Sequence, residues 1–102
     1  MLPLVEEFDA LKAKYLEGFW QNMTEGIRDL EGLIGDLDFT SAQSLSHKLT
    51  GSAGIYGYDN LALCLRHLNE ELLLSAPDRR KVDKLFRACR ESFDVGQKDR
   101  SC

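Results

Sequence analysis

From Leu4 to Leu37 the apolar residues fall at Leu4, Phe8, Leu11, Tyr15, Phe19, Met23, Ile27, Leu30, Ile34 and Leu37, and every step is three or four residues. That spacing draws one apolar stripe along an α-helix and leaves its other faces polar. It predicts one long amphipathic helix, or two nearly continuous ones with a break near Gly18. Tyr15, Phe19 and Trp20 cluster on this segment, and at this spacing they read as core.

Asp36–Phe39 reads as a connector. Thr40 followed by Gln43 fits a capping box, in which the two side chains satisfy free amides at a helix start. A central helix then runs from about Ser41 to Ala53, with Ala42, Leu45, Leu49 and Ala53 as its stripe, and Gly57 as its stop. Asp59 suits the N-cap of the next helix, whose stripe is Leu61, Leu65, Leu68 and Leu72 with Cys64 on the flank. Ser75–Asp78 is a turn, and Val82, Leu85, Phe86, Cys89 and Phe93 share a face of the last helix. Pro3 and Pro77 both stand at helix starts. After Asp94 the period is lost, so residues 1–94 form the domain and 95–102 read as a flexible tail. Short loops between amphipathic helices predict an all-α, antiparallel four-helix bundle with an N-terminal helical extension.

At 102 residues the chain holds one domain. A net charge of −4 argues against nucleic acid as a partner. No run of about 18 apolar residues is present, so no membrane span is expected, and no signal peptide is visible at the N-terminus. The three cysteines are Cys64, Cys89 and Cys102, an odd number without paired spacing. They favour a reducing compartment, the cytoplasm, over a disulfide framework. Cys64 and Cys89 read as small core residues. There is no phosphate-binding Gly-x-x-x-x-Gly-Lys loop, so no kinase activity of its own is expected.

The feature that calls for more than packing is His47. At about 100° per residue, it falls roughly opposite the stripe of the central helix and faces solvent. One turn on, on nearly the same side, is Gly51. A glycine inside a helix costs roughly 1 kcal/mol relative to alanine, so a gap there suggests that something must approach the imidazole closely. His67 lies beside Leu68 with no glycine one turn on and reads as a surface or partly packed residue. His47, His67, Cys64 and Glu70 show no recognised ligand spacing, so no metal site is expected.

His47, Leu49, Gly51, Ser52, Ala53 and Gly57, followed by Leu61, Cys64 and Leu68 on the next helix, resemble the histidine-containing phosphotransfer (HPt) domain of multistep two-component relays. Leu11–Leu16 looks like that family's second-helix opening, and the likeness extends from about Leu4 to Phe93. The resemblance implies that His47 accepts a phosphoryl group from an aspartyl-phosphate receiver domain and passes it to a response regulator. It implies receiver domains and a hybrid sensor histidine kinase as partners, no cofactor on this chain, and Mg²⁺ on the receiver.

Two positions depart from the family pattern. Thr50 stands where a lysine is usual, three after the histidine, and Asn69 where Glu or Gln is usual, 22 after it. In a hairpin turning near Gly57, Arg66 comes level with Thr50 and Asn69 with His47. Arg66 or Lys48 is therefore expected to supply the missing charge, and Asn69 to accept a hydrogen bond from His47. Gln43, Ser44, Lys48 and Arg66 are the expected partner-facing residues. The alternative is a receiver-binding adaptor of the same fold that is not phosphorylated.

Overall fold

The computed structural model describes residues 3–101, with side chains over residues 14–98. Four helices follow one another, α1 (Pro3–Gly35), α2 (Phe39–Ile55), α3 (Asp59–Leu72) and α4 (Arg79–Ser101). Each packs on the next and α4 returns to α1, whereas α2 shares no contact with α4 among the described residues. The fold is an antiparallel four-helix bundle in which α2 and α4 occupy diagonal corners. The apolar positions at Leu4, Phe8 and Leu11 lie outside the described side chains.

α1 is a single helix with no break at Gly18. On either side of that glycine Leu16 and Phe19 pack against the core, so the apolar stripe holds the helix through it. Its far end is a Schellman-type stop. The Leu37 amide donates to Ile34 O at 3.0 Å and the Asp38 amide to Leu33 O at 2.9 Å, with Leu37 itself at φ +61°. Leu37 is thus a turn residue, 60% exposed, and not the last member of the stripe.

α2 begins two residues earlier than expected, and this moves its cap. Asp38, not Thr40, accepts from the Ser41 amide, at 3.2 Å, and the Gln43 side chain reaches across to α3 instead of back to the helix start. Gly57 ends the α2 turn at φ +82°, with Tyr58 N–H donating to Ala53 O at 2.9 Å. Asp59 is the first residue of α3, where its charge faces the positive end of the helix; the capping position is Tyr58, without a side-chain bond.

The α3–α4 turn is closed by Glu71, a nearly buried carboxylate. Its Oε2 accepts from the Asp78 amide at 3.0 Å, and its Oε1 lies 3.9 Å from Lys81 Nζ. Asp78 Oδ1 accepts from the Arg80 amide at 2.9 Å and so caps α4; Pro77 precedes the cap. The helix does not stop at Asp94 but continues to Ser101. The segment expected as a tail is anchored at Gly96, where an added Cβ would stand 3.0 Å from the Trp20 ring. Cys102 lies outside the described residues.

Phe19 and Trp20 are buried, as their spacing suggests, while Tyr15 is 62% exposed. Phe19 stacks on Tyr58 with centroids 5.3 Å apart, and Trp20 meets Tyr58 edge-on at 4.9 Å. These contacts tie the α2–α3 turn to α1. Offset and edge-on aromatic pairs add about 0.5–1.5 kcal/mol each beyond their buried area. Cys89 is fully buried, and burial, with Cys64 nearby, pushes its thiol up to about 12.

Candidate functional site

α2 carries the site because its two sides are pinned differently. Toward α1, Leu49 presses on Gly26 so closely that an added Cβ would lie 2.6 Å from its Cδ2. A larger residue there would have to displace the Leu49 side chain. Toward α3, Ser46 is fully buried. Its hydroxyl donates to Gln43 O at 2.9 Å and lies 3.3 Å from Asn69 Oδ1. Gln43 Nε2 donates to the same oxygen at 2.9 Å. One amide oxygen therefore joins α2 to α3.

This seam corrects two expectations. Asn69 does not accept from His47, because its oxygen is taken by Gln43 and Ser46. The α2–α3 register sets Asn69 level with Gln43 and Ser46. Gln43, expected on the partner face, is half-buried and turned into the seam. Ser46 was the member that apolar spacing could not flag; its position on the stripe side between Ala42 and Leu49 was the available signal.

His47 is exposed on the outer side of α2, together with Ser44, Lys48 and Gly51. Space around Gly51 is open, with nothing within 4 Å of an added Cβ. Thr50 Oγ1 donates back to Ser46 O at 2.8 Å, so its hydroxyl is folded onto its own helix. Arg66 and Thr50 line one shallow surface pocket of about 360 Å³ with Asp59, Ala62 and Leu63, as the expected level of Arg66 requires. Neither Arg66 nor Lys48 forms an ion pair among the described residues. His67 is exposed on α3. No three His, Cys, Asp or Glu side chains gather as metal ligands among the described residues.

Two aliphatic side chains stand exposed on the helices that carry the site. Ile55, two turns on from His47 along the outer side of α2, is 83% exposed, and Leu63 on α3 is 41% exposed. The i, i+4, i+8 series His47, Gly51, Ile55 is the sequence signal for this exposed side of α2.

The family model for the Hpt domain matches residues 14–94. The chain belongs to the Hpt domain family. Hpt domains are phosphocarrier modules, not catalysts, and take part in histidine phosphotransfer with the receiver domains and kinases of phosphorelays. The match begins within α1, so the first turns of that helix precede it. No curated protein and no solved structure matches this Hpt chain. No helix among the described residues is long and apolar enough to cross a membrane.

Proposed function

We propose that His47 is the phosphoryl acceptor of this Hpt domain and relays between two cytoplasmic receiver domains. An unprotonated imidazole nitrogen of His47 attacks the phosphorus of a receiver aspartyl phosphate. The N–P bond forms as the P–O bond to the aspartate breaks, and the carboxylate leaves; a second receiver's aspartate then reverses the step. Such transfers depend on positioning and charge stabilisation more than on covalent participation by the surroundings. The receiver's Mg²⁺ supplies much of that charge.

The observation that carries this reading is the pairing of an exposed His47 with a bare Gly51 one turn away. A phosphorylated imidazole and an incoming aspartate need clearance, and a helix gives up stability to provide it. Ile55 and Leu63 supply apolar contact for the receiver, and Ser44, Lys48 and Arg66 its polar edge. Arg66 shares a pocket lining with Thr50, which stands in the lysine's place, and this supports Arg66, beside Lys48, as a source of positive charge. If Arg66→Ala and Lys48→Ala both transfer at the parental rate, this compensation is wrong.

The test is incubation with a receiver domain charged by acetyl phosphate, scoring acid-labile, base-stable phosphate on the parent and on His47→Gln. Label on the parent alone supports the reading. One observation favours the adaptor alternative: the Thr50 hydroxyl, in the place of the usual lysine, is engaged with Ser46 O. That alternative expects receiver binding without label on either chain, and binding that survives His47→Gln.

A further inference from the structure

Charge is unevenly distributed on this chain. Lys and Arg number 13 against 17 Asp and Glu, yet Arg79, Arg80, Lys81, Lys84, Arg87 and Arg90 fall in one stretch of α4 whose single acid is Asp83. Half of these cations are engaged. Arg79 pairs with Asp83 at 3.0 Å, Lys81 with Glu71 at 3.9 Å and Arg90 with Glu31 at 3.6 Å. Arg80, Lys84 and Arg87 are exposed and have no ion pair among the described residues. Steps of four and three place them on one side of α4, in a line about 10 Å long.

Beside this line runs a groove of about 380 Å³ between α1 and α4. Ile34, Gly35 and Phe86 contribute its apolar surface, Arg79, Arg87 and Arg90 wall it, and Glu31 and Asp83 complete the lining, each paired with one of these arginines. Ile34 is buried and Phe86 half-buried, so the apolar part is recessed. The groove follows the helices from Arg79 to Arg90, about three turns. It belongs to the corner diagonal to α2, away from His47.

We propose that this groove and the Arg80–Lys84–Arg87 line dock an acidic amphipathic helix of a protein partner. Apolar side chains of that helix enter between Ile34 and Phe86 while its carboxylates run along the cations, a helix-in-groove mode with a charged flank. The Arg79–Asp83 and Arg90–Glu31 pairs are roughly half exposed, so they are weakly held and their guanidinium groups can be shared with an incoming carboxylate. A bilayer is a poorer match: three cations attract an anionic surface only modestly, stable attachment takes a second apolar signal, and a flat surface cannot reach a recessed floor. Nucleic acid would call for a longer basic track on a less acidic chain. A partner held at this corner leaves the His47 face open, so the site serves steering or tethering in place of chemistry.

The experiment titrates the isotope-labelled full chain with a Leu/Glu amphipathic helical peptide of about 18 residues, five turns, following backbone amide shifts at physiological salt. A scrambled peptide, phosphatidylserine vesicles and a short DNA duplex serve as comparisons. Saturable shifts at Ile34, Gly35, Phe86 and Arg87 are expected, with none at His47–Gly51. Affinity should fall about tenfold in Arg80→Glu/Lys84→Glu/Arg87→Glu and severalfold in the milder Arg80→Gln/Lys84→Gln/Arg87→Gln, with receiver phosphotransfer unchanged in both. Absence of saturable shifts, shifts centred on the His47 face, equal binding of the scrambled peptide, indifference to both charge variants, or tighter binding of vesicles or DNA would each overturn the proposal.

Discussion

Ser46 Oγ lies 3.3 Å from Asn69 Oδ1 in the closed seam between α2 and α3, one residue from the candidate phosphoryl acceptor. With the Gln43 amide on the same oxygen, the seam fixes how far α2 is rotated, and so where the imidazole stands relative to α3.

Asn69→Ala removes the acceptor of two groups at once. The Ser46 hydroxyl keeps Gln43 O, but Gln43 Nε2 loses its partner in a half-buried position. A loss of about 1–3 kcal/mol is expected, read from the urea midpoint. Ser46→Ala, which leaves the Gln43–Asn69 bond in place, should cost about 1 kcal/mol.

At position 51 stability and function are expected to move in opposite directions. An added Cβ meets nothing within 4 Å, so Gly51→Ala should raise stability by about 0.5–1 kcal/mol through helix propensity alone. Gly51→Gln should also fold, by circular dichroism and thermal melting, and yet block phosphotransfer because its side chain rises beside His47. Normal transfer by Gly51→Gln would remove the clearance argument.

Gly26→Ala tests the opposite kind of glycine. Its Cβ would have to displace Leu49, and overpacking of this kind costs about 1–3 kcal/mol. In a double-mutant cycle with Leu49→Ala the two changes should couple by at least about 0.5 kcal/mol. Simple additivity would mean that the helices separate freely at this point.

Cys89 gives a pH dependence of known sign. Burial holds its thiol protonated up to about 12 against an ordinary value of 9.0. Between these values the native state binds a proton that the unfolded chain has lost. Stability from this site is complete below pH 9 and falls as pH rises, by up to about 1.4 kcal/mol per unit. The stability difference between the parent and Cys89→Ala, measured from pH 8 to 11, should shrink accordingly. In the folded protein Cys89 should resist thiol reagents while the half-buried Cys64 reacts slowly.

The helices were readable because burial follows their period. Leu61, Leu65, Leu68 and Leu72 are all buried, and His47 falls outside the stripe of α2. What failed to show was decided by contacts distant in sequence. Asp94 looks like the end of a helix until Trp20 is found against Gly96. Thr40 has the residue type and spacing of a cap, but the turn through left-handed Leu37 brings Asp38, read as part of the connector, into that place. The partner of Asn69 depended on the α2–α3 register, which spacing defines only to within about a turn. The basic stretch on α4 was plain in composition, but its split into paired and unpaired cations required Asp83, Glu31 and Glu71 to be located.

Leu49 against Gly26 and Ser46 beside Asn69 hold α2 from two sides, both behind His47. A partner therefore meets an imidazole whose backbone is already in place and pays little ordering entropy on contact. Association then resembles that of rigid bodies, with no folding step to gate it, and differences in affinity between partners fall mainly on how fast they dissociate.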